Sequence, residues 1–268
     1  MKYLKLLIII IFIGCVNEDS IKVKPNYYKI EGIKKVDEYL IYYKYGVLDT
    51  TTKELKKITF YDKNGNPKYD TEYYTINGLL DSNVTNYSYD NFGNLIESKN
   101  LLSNGKINSL IRYEYNQKNE LIKLLNFDEF ENIYFKKVFL YNNGENIQIT
   151  ETDSKNEIKS IKKFKYKDGF ESETLVYNKL NQLISKKVLT KIENGIVYID
   201  EYNEENKLIR KTESKYENGF EVSYRIIDET AISGLFFESF YNEKKLEMKT
   251  IHYMDNEPHF ISEYIYFK

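Results

Sequence analysis

A short turn-forming unit recurs along most of the chain, and it limits the fold more than any other feature of the sequence. The unit is an aromatic residue followed by Asp or Asn, a polar turn, and an aliphatic residue six positions after the aromatic. Residues 89–96, with the sequence YDNFGNLI, form its most regular copy. Further copies or variants begin at Tyr61, Tyr115, Phe127, Tyr141, Tyr177, Tyr202 and Tyr241. Turns repeated in this way are typical of a chain built from successive hairpins.

Shorter turn signals lie between these units. Asn-Gly or Asp-Gly pairs occupy residues 77–78, 168–169, 194–195 and 218–219. These pairs are strong hairpin signals because Asn and Gly tolerate the positive φ angles of two-residue turns. Together the two kinds of turn recur about every 11 to 15 residues, which leaves room for one strand between neighbours.

The stretches between turns alternate as strands do. Ile111, Tyr113 and Tyr115 share one face, whereas Arg112 and Glu114 share the other. Period-two alternation predicts an all-β protein, an antiparallel β-meander of repeated hairpins with roughly 14 to 18 strands. Because twist accumulates in large sheets, we expect the sheet to be strongly twisted or rolled. No linker divides residues 26–268, so we expect a single domain.

The N-terminus has the pattern of an export signal. Lys2 and Lys5 precede an apolar run over residues 6–13, which is far shorter than a membrane-spanning helix. Gly14 and Cys15 follow, and Cys15 is the only cysteine of the chain. A small residue directly before a lone cysteine predicts a lipoprotein signal peptide over residues 1–14.

Residues 12–15, Phe-Ile-Gly-Cys, resemble a bacterial lipobox. The resemblance implies cleavage before Cys15, diacylglycerol on its sulfur, and a further acyl chain such as palmitate on the new N-terminus. Residues 15–25 would then be a lipidated tether. We therefore expect a membrane or cell-envelope lipoprotein, held in the outer membrane if the host has two membranes, since Val16 is not the Asp that often directs inner-membrane retention.

The unit at residues 89–96 resembles the YD repeat of the Rhs family, and the hairpin spacing is similar to that of MORN-like repeat lipoproteins. In the Rhs family such repeats are β-hairpins that coil into shells around toxin domains. The resemblance extends loosely from Tyr61 to Tyr253 and concerns architecture, because similar folds carry unrelated functions.

Few residues suggest chemistry. His252 and His259 flank a predicted turn, but a metal site needs three or four convergent ligands, so we expect surface or edge histidines. Residues 62–66 (DKNGN) resemble the start of a calcium loop, but Pro67 and Tyr73 stand where Gly and Glu are required. We therefore predict a hairpin turn there, and neither a metal nor a cofactor.

Acidic pairs such as Glu171/Glu173 and Glu204/Glu205 are better explained as solvated sheet charges than as catalytic carboxylates. The uncharged residues 230–237 favour a buried strand over a partner-binding patch. The formal net charge of −2 argues against nucleic acid as a partner. We therefore expect no enzyme but a lipid-anchored binding or scaffolding surface for an envelope protein or glycan. The alternatives are an immunity-type protein that neutralises an envelope toxin and, as a weaker one, an envelope glycan hydrolase.

Overall fold

The computed structural model describes residues 26–167, 170–227, 234–254 and 256–268. The predicted signal peptide 1–14, the tether 15–25 with Cys15, and Gly169 lie outside the described residues. Those expectations therefore stay predictions.

The described chain begins with a helix and continues as strands. Helix α1, Tyr27–Glu31, is capped by the side chain of Asn26, which accepts a hydrogen bond from the Lys29 amide, and it ends at Gly32 in the left-handed conformation. A 3-10 turn covers Thr50–Thr52. The strands are β1 Lys35–Lys44, β2 Val47–Leu48, β3 Glu54–Tyr61, β4 Pro67–Ile76, β5 Leu79–Tyr89, β6 Leu95–Leu102, β7 Ile107–Tyr115, β8 Leu121–Phe127, β9 Ile133–Asn142, β10 Glu145–Asp153, β11 Ile158–Lys167, β12 Phe170–Asn178, β13 Leu183–Glu193, β14 Ile196–Asn203, β15 Leu208–Glu217, β16 Phe220–Ile226, β17 Gly234–Tyr241, β18 Glu247–Met254 and β19 Glu257–Phe267.

The strands form one closed antiparallel sheet. From β3 to β19 each strand pairs with the next, and β1 pairs with both β3 and β19. All nineteen strands except the two-residue β2 therefore stand in the ring, which makes an eighteen-strand barrel. The predicted all-β antiparallel meander is confirmed, but the expectation of an open twisted or rolled sheet is wrong. Pairing of the last strand with the first leaves no exposed edge, which an open sheet of this size would have at both ends.

Seven of the predicted copies of the recurring unit form a five-residue turn with a side-chain lock, and an eighth such turn, not predicted, lies at Asp153. The prediction at Tyr141 is wrong, because a two-residue Asn143–Gly144 turn joins β9 and β10 there. In each of eight turns, Oδ1 of the leading Asp or Asn accepts hydrogen bonds from the backbone N–H groups two and four residues later. The leading residues are Asp62, Asp90, Asn116, Asp128, Asp153, Asn178, Asn203 and Asn242. Asp and Asn both carry Oδ1, so either can lead the turn. The other head-group atom pairs with the fifth residue: Asp90 Oδ2 accepts from the Asn94 side chain, whereas Asn116 Nδ2 donates to Glu120.

The fourth residue of these turns adopts a positive φ. Gly65 and Gly93 supply it without a side chain, at φ of 76° and 87°, whereas most other copies use Asn. Glu131 and Lys245 take the same conformation at φ of 60° and 61°. The predicted Asn-Gly turns also have both central residues at positive φ, as at Asn218 and Gly219, which matches the twist of a hairpin.

Alternate residues of each strand face the inside and the outside of the ring. On β11, Ser160, Lys162, Phe164 and Tyr166 are partly buried, whereas Lys163, Lys165 and Lys167 are exposed. Side chains crowd together on a concave surface and spread apart on a convex one, so the more shielded set lines the inside. The strand register extends this assignment around the ring and defines an inner wall and an outer wall.

Helix α1 packs at one end of the barrel. Tyr28 stacks on Tyr61 with ring centroids 4.7 Å apart, and it also contacts Tyr266 at 6.1 Å. These rings surround a small buried cluster of Ile33, Val36 and Leu246. We call this end the tyrosine rim and the other end, where the β4–β5 turn lies, the far rim.

Candidate functional site

Four tyrosines at the tyrosine rim bind the backbone of the preceding hairpin, and two of them, Tyr89 and Tyr115, begin a recurring turn. The hydroxyl of Tyr89 donates to the Pro67 carbonyl at 2.8 Å, and that of Tyr115 donates to the Leu95 carbonyl at 3.0 Å. Tyr166 and Tyr266 make equivalent bonds to carbonyls 20 and 19 residues earlier. Burial raises the pKa of Tyr89 to about 12, so the hydroxyl remains a donor at neutral pH. These tyrosines at the tyrosine rim connect neighbouring hairpins, and their first role is structural.

One sector of the inner wall is acidic. It includes Glu38 on β1, Asp70 and Glu72 on β4, and Asp81 on β5, which we call the acidic arc. These side chains share the inner face by register. Burial raises the pKa of the Glu38 carboxyl, although a hydrogen bond from Ser262 opposes the shift.

Asp70 is the most deeply buried member of the acidic arc. Only 3% of it is exposed, and its Oδ2 accepts the Tyr87 hydroxyl at 2.7 Å and lies 2.9 Å from the Lys57 ammonium. A buried carboxylate held by a cation and a hydroxyl is fully partnered, so it maintains the wall and does not offer a vacant ligand position.

The opposite sector of the inner wall carries cations. We define the basic arc as Lys137, Lys162, Lys187 and Arg210, on strands β9, β11, β13 and β15. In the ring order β1, β3, β4 to β19, the centres of the two arcs lie about half a turn apart. The inner wall is therefore electrically polarised across the barrel.

Two cations share one carboxylate in each half of the basic arc. In the first half, the Glu151 carboxylate lies 3.0 Å from the Lys137 ammonium and 3.7 Å from that of Lys162. Ser160 also donates to Glu151 at 2.6 Å. Burial alone would raise the pKa of Glu151, but the Ser160 hydrogen bond and the two lysines outweigh it and lower that pKa.

The second half repeats this arrangement about fifty residues later. The Glu201 carboxylate lies 3.7 Å from the Lys187 ammonium and 3.8 Å from the Arg210 guanidinium. The Glu201 side chain is 18% exposed, whereas those of Lys187 and Arg210 are each 50% exposed. The carboxylates thus lie beneath the cations, and each half presents one more cation than anion to the interior.

The outer wall carries a different set of charges. Arg112 forms ion pairs with Glu97 at 2.9 Å and Glu131 at 3.5 Å. Lys186 lies over the ring of Tyr202, with its ammonium 4.7 Å from the centroid. Such solvent-exposed pairs and cation–π contacts are ordinary features of a surface in water.

The two histidines do not converge. His252 lies half-buried on the inner wall and stacks on Phe260 with centroids 4.2 Å apart. Burial lowers its pKa, which favours the neutral ring. His259 is exposed and adjoins Phe260 on β19, so it faces outward. The expectation of surface or edge histidines therefore applies to His259 and is wrong for His252.

The calcium-like turn is a structural turn. Oδ1 of Asp62 accepts the amides of Asn64 and Asn66 at 2.8 and 2.9 Å. Asn26 also donates to the carbonyls of Asn64 and Gly65, both at 3.1 Å, so helix α1 is attached to this turn. Throughout the described ranges, no group of three or more His, Cys, Asp or Glu side chains converges as metal ligands would.

The acidic pairs identified from the sequence are separated by the pleat or lie in turns. Glu173 pairs with Lys165, whereas Glu171 accepts a hydrogen bond from Thr174. Glu204 and Glu205 are exposed in the β14–β15 turn. The structure does not bring either pair together as a catalytic dyad.

The uncharged segment 230–237 is described only from Gly234 onward. Phe237 pairs with Tyr224 across the β16–β17 ladder, with stacked rings 6.3 Å apart, and Phe236 is 36% exposed. The described part is thus an ordinary strand of the ring, and the expectation of a fully buried strand does not apply to it.

Sequence reasoning missed the basic arc, although a signal for it exists. Adjacent cations occur at residues 162–163, 186–187 and 210–211, and in a strand one member of each pair must face inward. Such a pattern identifies an inner set of cations only once the sheet is known to close.

Comparison with known proteins finds similarity to solved structures. No protein-family description matches the chain, and no curated protein matches its sequence. A solved porin-like protein from Bacteroides uniformis is similar in structure, with 9% identity, 88% of this chain and 98% of that chain covered, and a TM-score of 0.45. A chain of the TcdB2-TccC3-Cdc42 structure matches 82% of this chain but only 18% of its own length, with 11% identity and a TM-score of 0.19. In the part of the chain that the structure describes, no helix has the length and apolar character needed to cross a bilayer. At these levels of similarity no function can be transferred, and the likeness to YD-repeat proteins stays a prediction.

Proposed function

We propose that the chain is a non-enzymatic, lipid-anchored envelope protein that binds its ligand on the inner wall of the barrel. The observation that carries this proposal is the character of that wall. Eighteen strands about 4.8 Å apart enclose a circle about 27 Å across before strand tilt widens it, which is too wide for side chains to fill. Besides aliphatic residues such as Ile111 and Leu124, the wall carries half-exposed charged side chains such as Lys187 and Arg210, which a packed core would not hold.

The outer wall supports a barrel that stands in water. Lys123 and Glu114 pair at 2.5 Å on strands that also carry Arg112 and Glu97. A lipid-facing barrel wall instead presents an apolar band, and a cation at its midplane costs several kcal/mol. In this proposal the lipid on Cys15 attaches the protein to the membrane.

The position of helix α1 gives the barrel an orientation. Asn26 is held at the tyrosine rim by its bonds to Asn64 and Gly65. Ten residues lie between Cys15 and Asn26, so the eleven steps between them span at most about 38 Å when extended. In this proposal the tyrosine rim lies nearer the membrane and the far rim opens away from it.

The test is to obstruct the inner wall without changing its charge. Ser98 and Ser185 face inward, and Ser98→Trp with Ser185→Trp would place two indoles in the interior. Ser88→Trp with Ser223→Trp places the same groups on the outer wall and serves as the matched control.

Tagged lipoprotein is expressed in its host, and bound material is captured from detergent-solubilised membranes and identified. We expect the inner pair to lose the partner that the wild type and the outer pair retain. Loss with the outer pair alone would instead place binding outside the barrel, and capture of nothing by the wild type would contradict a binding function.

A further inference from the structure

We propose that the basic arc is a binding site for an acidic polysaccharide. This inference rests on the proposed function, since it names the ligand of the inner wall. The two halves of the arc repeat one design, in which a carboxylate is covered by two cations that point into the interior. Each half therefore retains one positive charge in excess, on Lys137 with Lys162 and on Lys187 with Arg210.

The carboxylates hold the cations at the inner wall by charge attraction and leave most of their hydrogen-bond donors free. Glu151 is only 15% exposed, and its hydrogen bond from Ser160 leaves it oriented beneath Lys137 and Lys162. The bonds of 3.7 to 3.8 Å from Lys162, Lys187 and Arg210 to their carboxylates are long. These three cations therefore keep hydrogen-bond donors for an incoming anion.

Carboxylates elsewhere on the inner wall do not neutralise the excess positive charge of the basic arc. Asp153 pairs with Lys159 at 2.6 Å near the far rim, and Glu171 lies at the other end of the neighbouring strands. The acidic arc stands about half a turn away around the ring. A polyanion entering the barrel would be repelled by that sector and attracted to the basic arc.

Neighbouring side chains favour a carbohydrate over other polyanions. By register, Phe139 and Phe164 share the inner face with Lys162, and both rings are half-buried. Aromatic rings pack against the apolar faces of sugar rings, and cations neutralise uronate groups. An acidic peptide would use the cations but would not need the aromatic surface.

The chain provides a charge-matched control for each position. The inner variant combines Lys162→Gln, Lys187→Gln and Arg210→Gln. The outer variant, which removes the same three charges from adjacent positions of the same strands, combines Lys163→Gln, Lys186→Gln and Lys211→Gln. Both variants have the same net charge, so a general electrostatic effect must change them equally.

Binding is measured by calorimetry on the mature lipoprotein in neutral detergent, with unfolding curves to verify that each variant is folded. The probes are oligouronate from alginate, a neutral maltooligosaccharide of equal length, and polyglutamate. We expect oligouronate binding that weakens with salt, a loss of at least about tenfold in the inner variant, and less than about twofold in the outer variant. Maltooligosaccharide and polyglutamate should bind at least about tenfold more weakly than oligouronate.

Three results would overturn the inference. Equal losses in the two variants would assign binding to nonspecific charge. Binding of polyglutamate as tight as that of oligouronate would show that the site does not select carbohydrate. Absence of oligouronate binding would also reject it. The Ser98→Trp with Ser185→Trp variant tests the inner wall independently of these measurements. Failure of the oligouronate experiment therefore rejects this ligand class without rejecting ligand binding on the inner wall.

Discussion

Replacement of Asp90 tests whether the side-chain lock of the recurring turn determines stability. Oδ1 of Asp90 accepts the amides of Phe92 at 2.9 Å and Asn94 at 2.8 Å. Asp90→Ala removes both bonds. The Phe92 amide lies at an exposed residue and regains water, whereas the Asn94 amide is at a half-buried one, so we expect a loss of about 1.5 kcal/mol.

Asp90→Asn keeps an oxygen at the Oδ1 position and is the matched control. It loses the 2.9 Å bond from the Asn94 side-chain amide to Oδ2 but keeps both backbone bonds, so we expect a cost of about 0.5–1 kcal/mol, less than that of Asp90→Ala. The assay is urea unfolding of the mature protein, together with the melting temperature, which should fall by about 3–6 °C in Asp90→Ala for a chain of this size. Equal destabilisation by Asn and Ala, or no destabilisation by Ala, would refute the lock.

The same pair of proteins predicts a pH dependence. Burial raises the pKa of Asp90, but hydrogen bonds from the Asn94 side chain and from backbone amides outweigh it, so the pKa in the folded protein lies below its ordinary value. The stabilising contribution is therefore fully present above the unfolded pKa of about 3.9 and is lost as the pH falls through the folded pKa. Asp90→Asn lacks this loss, so the stability advantage of the wild type over it should decrease in acid.

Four further predictions concern single residues. Lys245→Gly should raise stability by about 0.5 kcal/mol in urea unfolding, because glycine adopts its φ of 61° without strain; a decrease would contradict the strain argument. Gly219→Val should cost at least about 1–2 kcal/mol at a φ of 80°, and a wild-type melting temperature would count against this turn geometry. Tyr115→Phe should cost about 1 kcal/mol by leaving the Leu95 carbonyl without its 3.0 Å donor, and an unchanged unfolding midpoint would show that the hydroxyl contributes nothing. Cys15→Ser should release the protein from membranes or leave it uncleaved, and unchanged fractionation and mass would reject lipidation.

The local features of this fold could be predicted from the sequence, because each depends on a few adjacent residues. Turns at Asp90 and at Asn218–Gly219 are determined by side chains that accept backbone amides or tolerate positive φ. The alternation of apolar and charged residues around Tyr113 likewise predicts which side chains share a face of the strand. Helix α1 was not predicted, since five residues are too few for a helical period.

Closure of the ring depends on contacts that no local pattern reports. Val36 pairs with Tyr266, more than two hundred residues away, and neither segment differs in composition from the other strands. The inner arcs depend on closure in turn, because Lys162 and Lys163 are equivalent in sequence until one face becomes concave. His252 was misassigned for the same reason, as its inward position follows from the register with Phe260.

Ring closure can be tested with one engineered disulfide. Tyr39 on β1 and Glu263 on β19 are directly opposed, at the spacing of an antiparallel pair that a disulfide can bridge. In a Cys15→Ser background, Tyr39→Cys with Glu263→Cys should form an intramolecular disulfide on mild oxidation of the folded monomer, whereas Tyr39→Cys with Lys163→Cys should not. An open sheet would separate β1 from β19 by its full width, so failure of the first pair to cross-link in folded protein would contradict the closed barrel.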